Sequence, residues 1–397
     1  MSTPGLKVLV VDDSRTVLRL LSRQLVSLGA GVVTPCDRGD AALERIADDP
    51  RATDLVFCDL NMPNMDGIEL VRRLAQLDYQ GALVFVSSEN PRVLKSAERL
   101  ATSLGLWVLG AEGKPIALER IGHFLELAAS DRPRKAVAAR VSYGPDELRT
   151  ALAEGHLVNH YQPKIELATG RVAGFEALVR WRRGAELVFP DQFIPTAEEH
   201  GLIDELTRQV LLHALADLKR WREGGLSPHV AVNVSMENLT DLSFPEFVFA
   251  ALEKYGIPGD NLILEVTESR VMRDRIVALD ILTRLSMRRV GLSIDDFGTG
   301  HSSLAQLREL PFEELKVDRS FVHGASRDAS RKAIGEASIG MARGLEMRTV
   351  AEGVEDTEDW DFVVASGCDL AQGWFIARAM PANSVPGWIA KWSPPVR

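Results

Sequence analysis

The sequence predicts an α/β protein of two domains: a doubly wound (βα)5 domain followed by a (β/α)8 barrel. Short apolar runs alternate with segments of helical periodicity along the chain, which is the pattern of βα units. Five such units precede residue 127, and eight strand candidates follow residue 148. A chain of 397 residues is also long for one core. We therefore expect domains at 1–127 and 148–397, joined by a linker at 128–147.

Composition excludes several classes of protein. Apolar residues make up 46% and charged residues 26% of the chain, as in ordinary globular proteins. No apolar stretch is long enough to span a bilayer, and the N-terminus lacks the basic start of a signal peptide, so we expect a cytoplasmic protein without a membrane span. Three cysteines without metal-type spacing indicate reduced thiols. A net charge of −10 disfavours direct DNA binding.

Polar residues of the first domain lie where its strands end. The strand candidates are "LKVLVV", "GVVTP", "DLVFCDL", "ALVFVSS" and "LWVLG". Ligands of such sheets bind at the carboxyl ends of the strands. Asp12 and Asp13 follow the first strand, Asp59 ends the third, Ser87 ends the fourth, and Lys114 follows the fifth. Three converging carboxylates would repel one another, so this edge of the sheet predicts a divalent cation.

This set of residues resembles the receiver domain of two-component response regulators, over residues 5–127. The resemblance implies that Asp59 accepts a phosphoryl group from a sensor histidine kinase, while Asp12, Asp13 and Asp59 hold one Mg²⁺. It also implies that Ser87 and Lys114 bind the phosphoryl oxygens and that the Lys114–Pro115 bond is cis. Receivers usually carry an aromatic switch residue where this chain has Ala111, and Trp107 is out of register with that position.

The second domain places one polar residue near the end of each strand from the second onward. Its strand candidates are "HLVNHYQPKIEL", "VAGFEALVRW", "HVAVNVS", "NLILEVTE", "GLSIDD", "EELKVD", "MRTVAEGV" and "CDLAQGWF". Catalytic residues of (β/α)8 barrels lie at the carboxyl ends of the strands. A single polar residue there would be read as a solvated surface position, but seven in order predict a ring around an active site. They are Glu176, Asn233, Glu265, Asp295, Lys316, Glu352 and Gln372.

The donor types of this ring indicate which metal it takes. Carboxylates and an amide offer only oxygen, which suits Mg²⁺ or Mn²⁺ better than zinc. Asp296 adds a fifth acid, which is too much charge for one small dication and suits two, the usual device for displacement at phosphorus. Adjacent residues of a regular strand face opposite ways. We therefore expect the strand to stop at Asp295, so that Asp295 bridges both ions and Asp296 binds one.

Strand alternation gives further assignments. Glu176, Leu178 and Arg180 share one strand face, which places a guanidinium beside a metal ligand, where a phosphate could bind. Lys316 and Asp318 likewise share a face. Glu268 lies beyond its strand and suits a role in anchoring a loop.

The segments "EALVRW", "VNVS", "EVTES", "DDFGTGHSSL", "KVDRSF", "AEGVE" and "AQGWF" resemble the motifs of EAL domains, phosphodiesterases that hydrolyse cyclic di-GMP, over about 145–390. The resemblance implies Mg²⁺- or Mn²⁺-dependent opening of the ring to linear pGpG, inhibition by Ca²⁺, and the antiparallel first strand. Carried onto this chain, it makes Lys316 and Glu352 the residues that activate water and Glu268 the anchor of the "DFGTGHSS" loop. It assigns metal binding to Glu176, Asn233, Glu265, Asp295, Asp296 and Glu352, and substrate binding to Gln162, Leu178, Arg180, Asp318 and Gln372.

Three departures from the EAL pattern fall outside these ligands. His301 and Trp374 stand where tyrosine is usual, and Ala379 where proline is usual. His301 lies in the loop through which dimerisation is thought to act on activity, so this departure concerns regulation. A histidine there could respond to pH near neutrality, but we favour the interpretation as an ordinary exposed loop histidine.

The sequence leaves three hypotheses for the output: an active phosphodiesterase, a non-catalytic cyclic di-GMP receptor, and a protein-interaction module. The complete acidic set and Lys316 favour the enzyme, with a homo-oligomer expected. The kinase partner, the sign of control by phosphorylation, the oligomeric state and the physiological output do not follow from the sequence.

Overall fold

A computed structural model describes residues 5–49, 53–130, 143–235, 237–267, 275–297 and 309–395. The chain divides into two compact units, 1–139 and 140–397. Within the described ranges, no helix combines the length and the apolar character needed to cross a bilayer. Residues 131–142 of the expected linker lie outside the described ranges.

The first unit is a five-stranded parallel sheet with helices on both faces. Its elements are β1 (Lys7–Val11), α1 (Arg15–Ser27), β2 (Val32–Cys36), α2 (Gly39–Asp48), β3 (Leu55–Cys58), α3 (Gly67–Gln76), β4 (Ala82–Ser87), α4 (Pro91–Ser103), β5 (Trp107–Gly113) and α5 (Leu118–Ala129). The strand order is β2-β1-β3-β4-β5.

Alternation along the buried strands supplies two cores, one on each face of this sheet. Along β1, Leu9 and Val11 pack with α2 and α3, whereas Val8 and Val10 pack with α1 and α5. Burial on both faces explains why β1, β3 and β4 read as continuous apolar runs. The doubly wound architecture is confirmed.

The second unit contains a barrel. Its strands are β6 (Leu157–Glu166), β7 (Val172–Arg183), β8 (Glu186–Val188), β9 (His229–Val234), β10 (Leu262–Thr267), β11 (Gly291–Phe297), β12 (Glu314–Val317), β13 (Arg348–Ala351), β14 (Leu370–Ala371) and β15 (Met380–Pro381). Its described α-helices are α6 (Pro145–Ala153), α7 (Ile194–Glu199), α8 (Ile203–Glu223), α9 (Phe244–Tyr255), α10 (Arg275–Met287), α11 (Arg319–Val322), α12 (Ala329–Gly344), α13 (Thr357–Ala365) and α14 (Val385–Ile389).

Eight of these strands close the barrel in the order β6-β14-β13-β12-β11-β10-β9-β7, and β7 pairs with β6. The strands from β9 to β14 and β7 run parallel, whereas β6 is antiparallel to both of its neighbours, β7 and β14. The predicted barrel with an antiparallel first strand is confirmed. Because of this reversal, the start of β6 lies beside the carboxyl end of β7.

Strand β11 does not stop at Asp295, so that expectation was wrong. The strand continues to Phe297, but its register against β12 shifts: Ile294 pairs with Leu315, and Phe297 with Val317. Two residues of β11 therefore face one of β12, which is a β-bulge. A bulge changes the alternation of side chains without ending the strand, and it occurs at the two adjacent aspartates.

Candidate active site

Lys316 lies at the centre of the predicted ring. Its ammonium Nζ is 2.7 Å from Glu265 Oε2 and from Glu352 Oε1. Asp295 Oδ1 is 3.1 Å away and Glu176 Oε2 3.6 Å away. The four acids come from β7, β10, β11 and the residue after β13, so the barrel closure brings together side chains that are far apart in sequence. Lys316 is only 1% exposed, and the arrangement is a buried cation surrounded by carboxylates.

Two amides extend the ring. Asn233 Nδ2 donates to Glu176 Oε1 over 2.7 Å, and Gln372 Nε2 donates to Glu176 Oε2 over 2.6 Å and to Gln162 Oε1 over 3.1 Å. Among the described residues, Gln372 Oε1 is buried without a hydrogen-bond partner. Because a buried acceptor without a partner is costly, this oxygen fits a ligand that brings a donor. Gly373 is needed here, since a Cβ would lie 2.1 Å from the carbonyl oxygen of Val354.

Sequence reasoning missed a second buried lysine, on β6. Lys164 Nζ lies 2.7 Å from Glu265 Oε1 and 3.0 Å from Glu314 Oε1, and Arg348 Nη2 lies 3.5 Å from Glu314 Oε2. With Lys316, these groups form a line of alternating charges. Its order is Glu352, Lys316, Glu265, Lys164, Glu314 and Arg348. The signal was available in the sequence, because Lys164 is two residues from Gln162 and therefore on the same strand face.

Burial and the two buried lysines shift the pKa values of the ring acids in opposite directions. Burial would raise the pKa of Glu265, but Lys164 and Lys316 outweigh burial and lower that pKa to about 2. Burial, followed by the charge of Glu265, raises the pKa of Glu176. Burial raises the pKa of Glu352 to about 8 despite the contact with Lys316. The carboxylates hold the pKa of Lys316 well above its ordinary value against the opposing effect of burial.

The ring fits Mg²⁺ or Mn²⁺ by its chemistry, since it offers four carboxylates and one amide as oxygen donors. The acids are spread around the Lys316 ammonium.

Within the described ranges, tight groups of three metal-type ligand atoms, all within 4.8 Å of one another, occur at Asp12, Asp13 and Asp59 and at His323, Asp356 and Asp359. In the second group, Asp359 already accepts hydrogen bonds from His323 and from the backbone of Gly324 and Glu355.

The residues assigned to the substrate line the same end of the barrel. Arg180 is buried on β7, donates to the carbonyl of Val179 over 2.8 Å and stacks 4.9 Å from the centre of the Phe189 ring. Gln162 Nε2 donates to the carbonyl of Ala377 over 3.1 Å. Leu178 is half-buried on β7. Asp318 caps α11 by accepting from the Ser320 amide over 2.9 Å.

Three predicted positions cannot be placed. Glu268 and His301 lie outside the described residues, as does the side chain of Asp296. Their assigned roles stay predictions.

In the first unit, Lys114 joins two of the predicted acids. Its Nζ lies 2.5 Å from Asp12 Oδ2 and 2.6 Å from Asp59 Oδ2. Burial raises the pKa of Asp12, while hydrogen bonds to Asp12 and Asp59 outweigh burial and raise the pKa of Lys114. Ser87 Oγ is fully buried with no partner in the described part of the chain. The predicted cis bond at Lys114–Pro115 is confirmed.

The acids Asp12, Asp13 and Asp59 fit one divalent cation, because their oxygens converge within 4.8 Å at the carboxyl ends of the strands. The unpartnered Ser87 hydroxyl fits a group that arrives with acceptor oxygens. Ala111 lies on β5 and packs, partly buried, against the core on one face of the sheet, whereas Trp107 packs against the core on the other face. Trp107 is therefore no substitute for the missing switch aromatic.

Comparison with known families covers both units. The EAL domain model matches residues 146–379, and the response regulator receiver domain model matches residues 8–102. RocR of Pseudomonas aeruginosa, named a cyclic di-GMP phosphodiesterase, is 32% identical over 381 residues, which are 95% of this chain and 96% of RocR.

Other relatives share the second unit. MucR of Pseudomonas aeruginosa, named a bifunctional diguanylate cyclase/cyclic di-GMP phosphodiesterase, is 41% identical over 62% of this chain, which spans 36% of MucR. The solved structure of the MucR phosphodiesterase in complex with c-di-GMP is similar with a TM-score of 0.58 and 41% identity; the match covers 60% of this chain and 98% of that one.

Proposed function

The chain belongs to the EAL domain family and carries a response regulator receiver domain before its EAL domain, and from this premise we propose that it hydrolyses cyclic di-GMP to linear pGpG. The ring of four carboxylates around Lys316 is the observation that carries the proposal. A barrel that only bound nucleotide would have no need for this much buried acid, because desolvating each carboxylate is costly.

The proposed metal ligands are Glu176, Asn233, Glu265, Asp295, Asp296 and Glu352. Two bound Mg²⁺ or Mn²⁺ ions would supply charge stabilisation at the phosphorus and an acidified water. The lowered pKa of Glu265 supports its role, since the carboxylate stays an anion at neutral pH.

Glu352 is the proposed base for the attacking water. Burial raises the pKa of Glu352, so its carboxylate is a stronger base than a solvated one. Lys316 holds Glu352 in place over 2.7 Å and in this way helps to orient the attacking water. The water oxygen bonds to phosphorus as the P–O3′ bond breaks, and one water proton passes to Glu352, which then releases it to solvent. The departing 3′ oxygen takes up a proton from solvent and leaves as a hydroxyl.

Arg180 and Gln162 are proposed to hold the nucleotide, with Gln372, Leu178 and Asp318 beside them. The Arg180 guanidinium offers paired donors for a phosphate, and its stacking on Phe189 limits its freedom before substrate binds. The unpartnered Oε1 of Gln372 supports its assignment to the ligand-facing set.

The receiver domain is proposed to take a phosphoryl group on Asp59 from a histidine kinase and to change the turnover of the barrel. The contacts of Lys114 with Asp12 and Asp59 support this role, because a cation beside the acceptor offsets the charge that a phosphoryl group adds.

The test is incubation of the purified chain with cyclic di-GMP and Mg²⁺, with products separated by chromatography. We expect pGpG, no product with EDTA, and inhibition by Ca²⁺. Nucleotide binding without product would make the chain a receptor and contradict the proposal, and the absence of both would leave only an interaction module.

A further inference from the structure

A cavity of about 640 Å³ lies at the β2 edge of the receiver sheet, between α1 and α2. This volume is within the range of small-molecule sites. None of its lining residues belongs to the acidic site of Asp12, Asp13 and Asp59. They are Arg15, Leu18, Arg19, Ser22, Arg23, Pro35, Cys36, Asp37, Ala41 and Arg45.

Three of the four arginines are spaced four residues apart on α1: Arg15, Arg19 and Arg23. This spacing places them on one helix face, where each like-charged pair destabilises the helix by about 0.2–0.5 kcal/mol. Their mutual repulsion therefore does not stabilise the helix. Arg45 of α2 adds a fourth cation from the opposite wall.

These cations are not neutralised by the protein. In the portions of the chain that the structure covers, none of Arg15, Arg19, Arg23 and Arg45 forms an ion pair with a carboxylate, and Asp37 is the one acid in the cavity lining. Burial raises the pKa of the Cys36 thiol, and the nearby positive charge of Arg45 opposes this shift. In a protein with a net charge of −10, this is a concentrated positive site.

The floor of the cavity is apolar and contains one unsatisfied group. Leu18 and Cys36 are buried there, and Ala41 is half-buried. Ser22 Oγ is buried and has no hydrogen-bond partner among the described residues. A flat ring would cover the apolar floor, while guanidinium groups at the rim suit phosphate oxygens.

We propose that this cavity binds a nucleoside polyphosphate, with the base on the floor formed by Leu18, Cys36 and Ala41 and the phosphates among the four arginines. The site is independent of the barrel and of the phosphoacceptor. It would make the receiver domain responsive to a second, soluble input.

The test is isothermal titration of the full chain with ATP, pyrophosphate and adenosine, in EDTA so that no metal bridges phosphates elsewhere. We expect saturable ATP binding, with pyrophosphate and adenosine each at least tenfold weaker. The Arg19→Ala/Arg45→Ala variant should bind ATP about 100-fold more weakly, since each charge-assisted hydrogen bond contributes about tenfold in affinity.

The matched control is Arg92→Ala/Arg99→Ala, which removes the same charge from exposed positions of α4 in the same domain. It should bind ATP as wild type does, and circular dichroism checks that both variants fold. The proposal is overturned if ATP does not saturate at millimolar concentration or if the control weakens ATP binding equally. It is also overturned if adenosine or pyrophosphate alone binds as tightly as ATP.

Discussion

Lys316 organises the barrel site, because one buried ammonium contacts carboxylates delivered by four different strands or strand ends. Removing one partner from such a network leaves a buried charge without compensation, which typically costs about 3–5 kcal/mol. The acids and the lysine are therefore coupled, and single substitutions have to be read against both folding and activity.

Glu352→Gln separates chemistry from binding. The amide keeps the shape of the side chain but loses its charge and basicity, so pGpG formation should fall by at least the ~10²–10⁴-fold typical of general-base catalysis. Arg180 and Gln162 still hold the nucleotide, so cyclic di-GMP affinity should stay within about tenfold, roughly 1.4 kcal/mol. Turnover is measured by product chromatography and affinity by calorimetry.

Two companion variants sharpen this experiment. Lys316→Ala should behave like Glu352→Gln, whereas Glu176→Ala should also weaken metal-dependent binding because Glu176 joins Asn233 and Gln372. If Glu352→Gln keeps more than a tenth of wild-type turnover, the assignment of the base is wrong.

At the scale of elements, strand β6 gives the barrel its asymmetry. Its antiparallel direction places Gln162 at the site and Lys164 two residues deeper, between Glu265 and Glu314. The even-numbered residues thus face the barrel interior, while Tyr161 faces α8 and donates its hydroxyl to Asp217 over 2.5 Å. The apolar–polar pattern of β6 therefore does not reveal which face is inside.

Lys164→Met tests the lower half of the charge line. The variant leaves Glu314 with only the 3.5 Å contact to Arg348, so we expect a loss of about 3–5 kcal/mol in the free energy of unfolding. Lys164→Met/Glu314→Gln should recover much of that loss, because the charge of Lys164 and the charge of its partner Glu314 are then removed together. Urea unfolding followed by tryptophan fluorescence reports mainly on the barrel, which holds six of the seven tryptophans.

Lys219→Met is the control for this series. Lys219 is half exposed on α8 and lies 4.0 Å from Glu223, so its loss should change stability by less than about 0.5 kcal/mol. A double variant as unstable as the single one would show that packing around Lys164, and not its charge, is what stabilises the barrel.

Strand ends were the least predictable part of the site. Seven polar residues could be assigned to seven strands from their spacing, and the structure brings all seven together. The course of β11 could not be predicted, because a β-bulge depends on pairing with β12, which local sequence does not contain. Lys164 was missed because buried lysines are rare and its two partners come from β10 and β12.

At the scale of the whole molecule, both folds could be predicted from the sequence. Apolar segments alternate with helical periodicity along the chain, and the polar motif residues lie at the ends of those apolar segments. The motifs do not show how the receiver domain controls the activity of the barrel. Ala111 in place of the usual aromatic removes the ordinary basis for predicting the sign of control.

Phosphorylation of Asp59 should nevertheless change turnover. Couplings of this kind are typically about 1–3 kcal/mol, or about 5–150-fold in an equilibrium. The comparison is acetyl-phosphate-treated wild type against Asp59→Asn over a range of protein concentrations. Asp48→Asn, an exposed acid of α2, serves as the control and should respond as wild type does. Equal turnover of treated wild type and Asp59→Asn would rule out the coupling.

The central claim is that the barrel cleaves cyclic di-GMP by attack of water on phosphorus. Turnover in H₂¹⁸O, with mass spectrometry of the products, tests it most directly. The account predicts pGpG that carries one ¹⁸O in its 5′-phosphate for each bond cleaved, in wild type with Mg²⁺ and not in Glu352→Gln. Unlabelled pGpG, or bound cyclic di-GMP recovered intact after prolonged incubation with Mg²⁺ and with Mn²⁺, would contradict it.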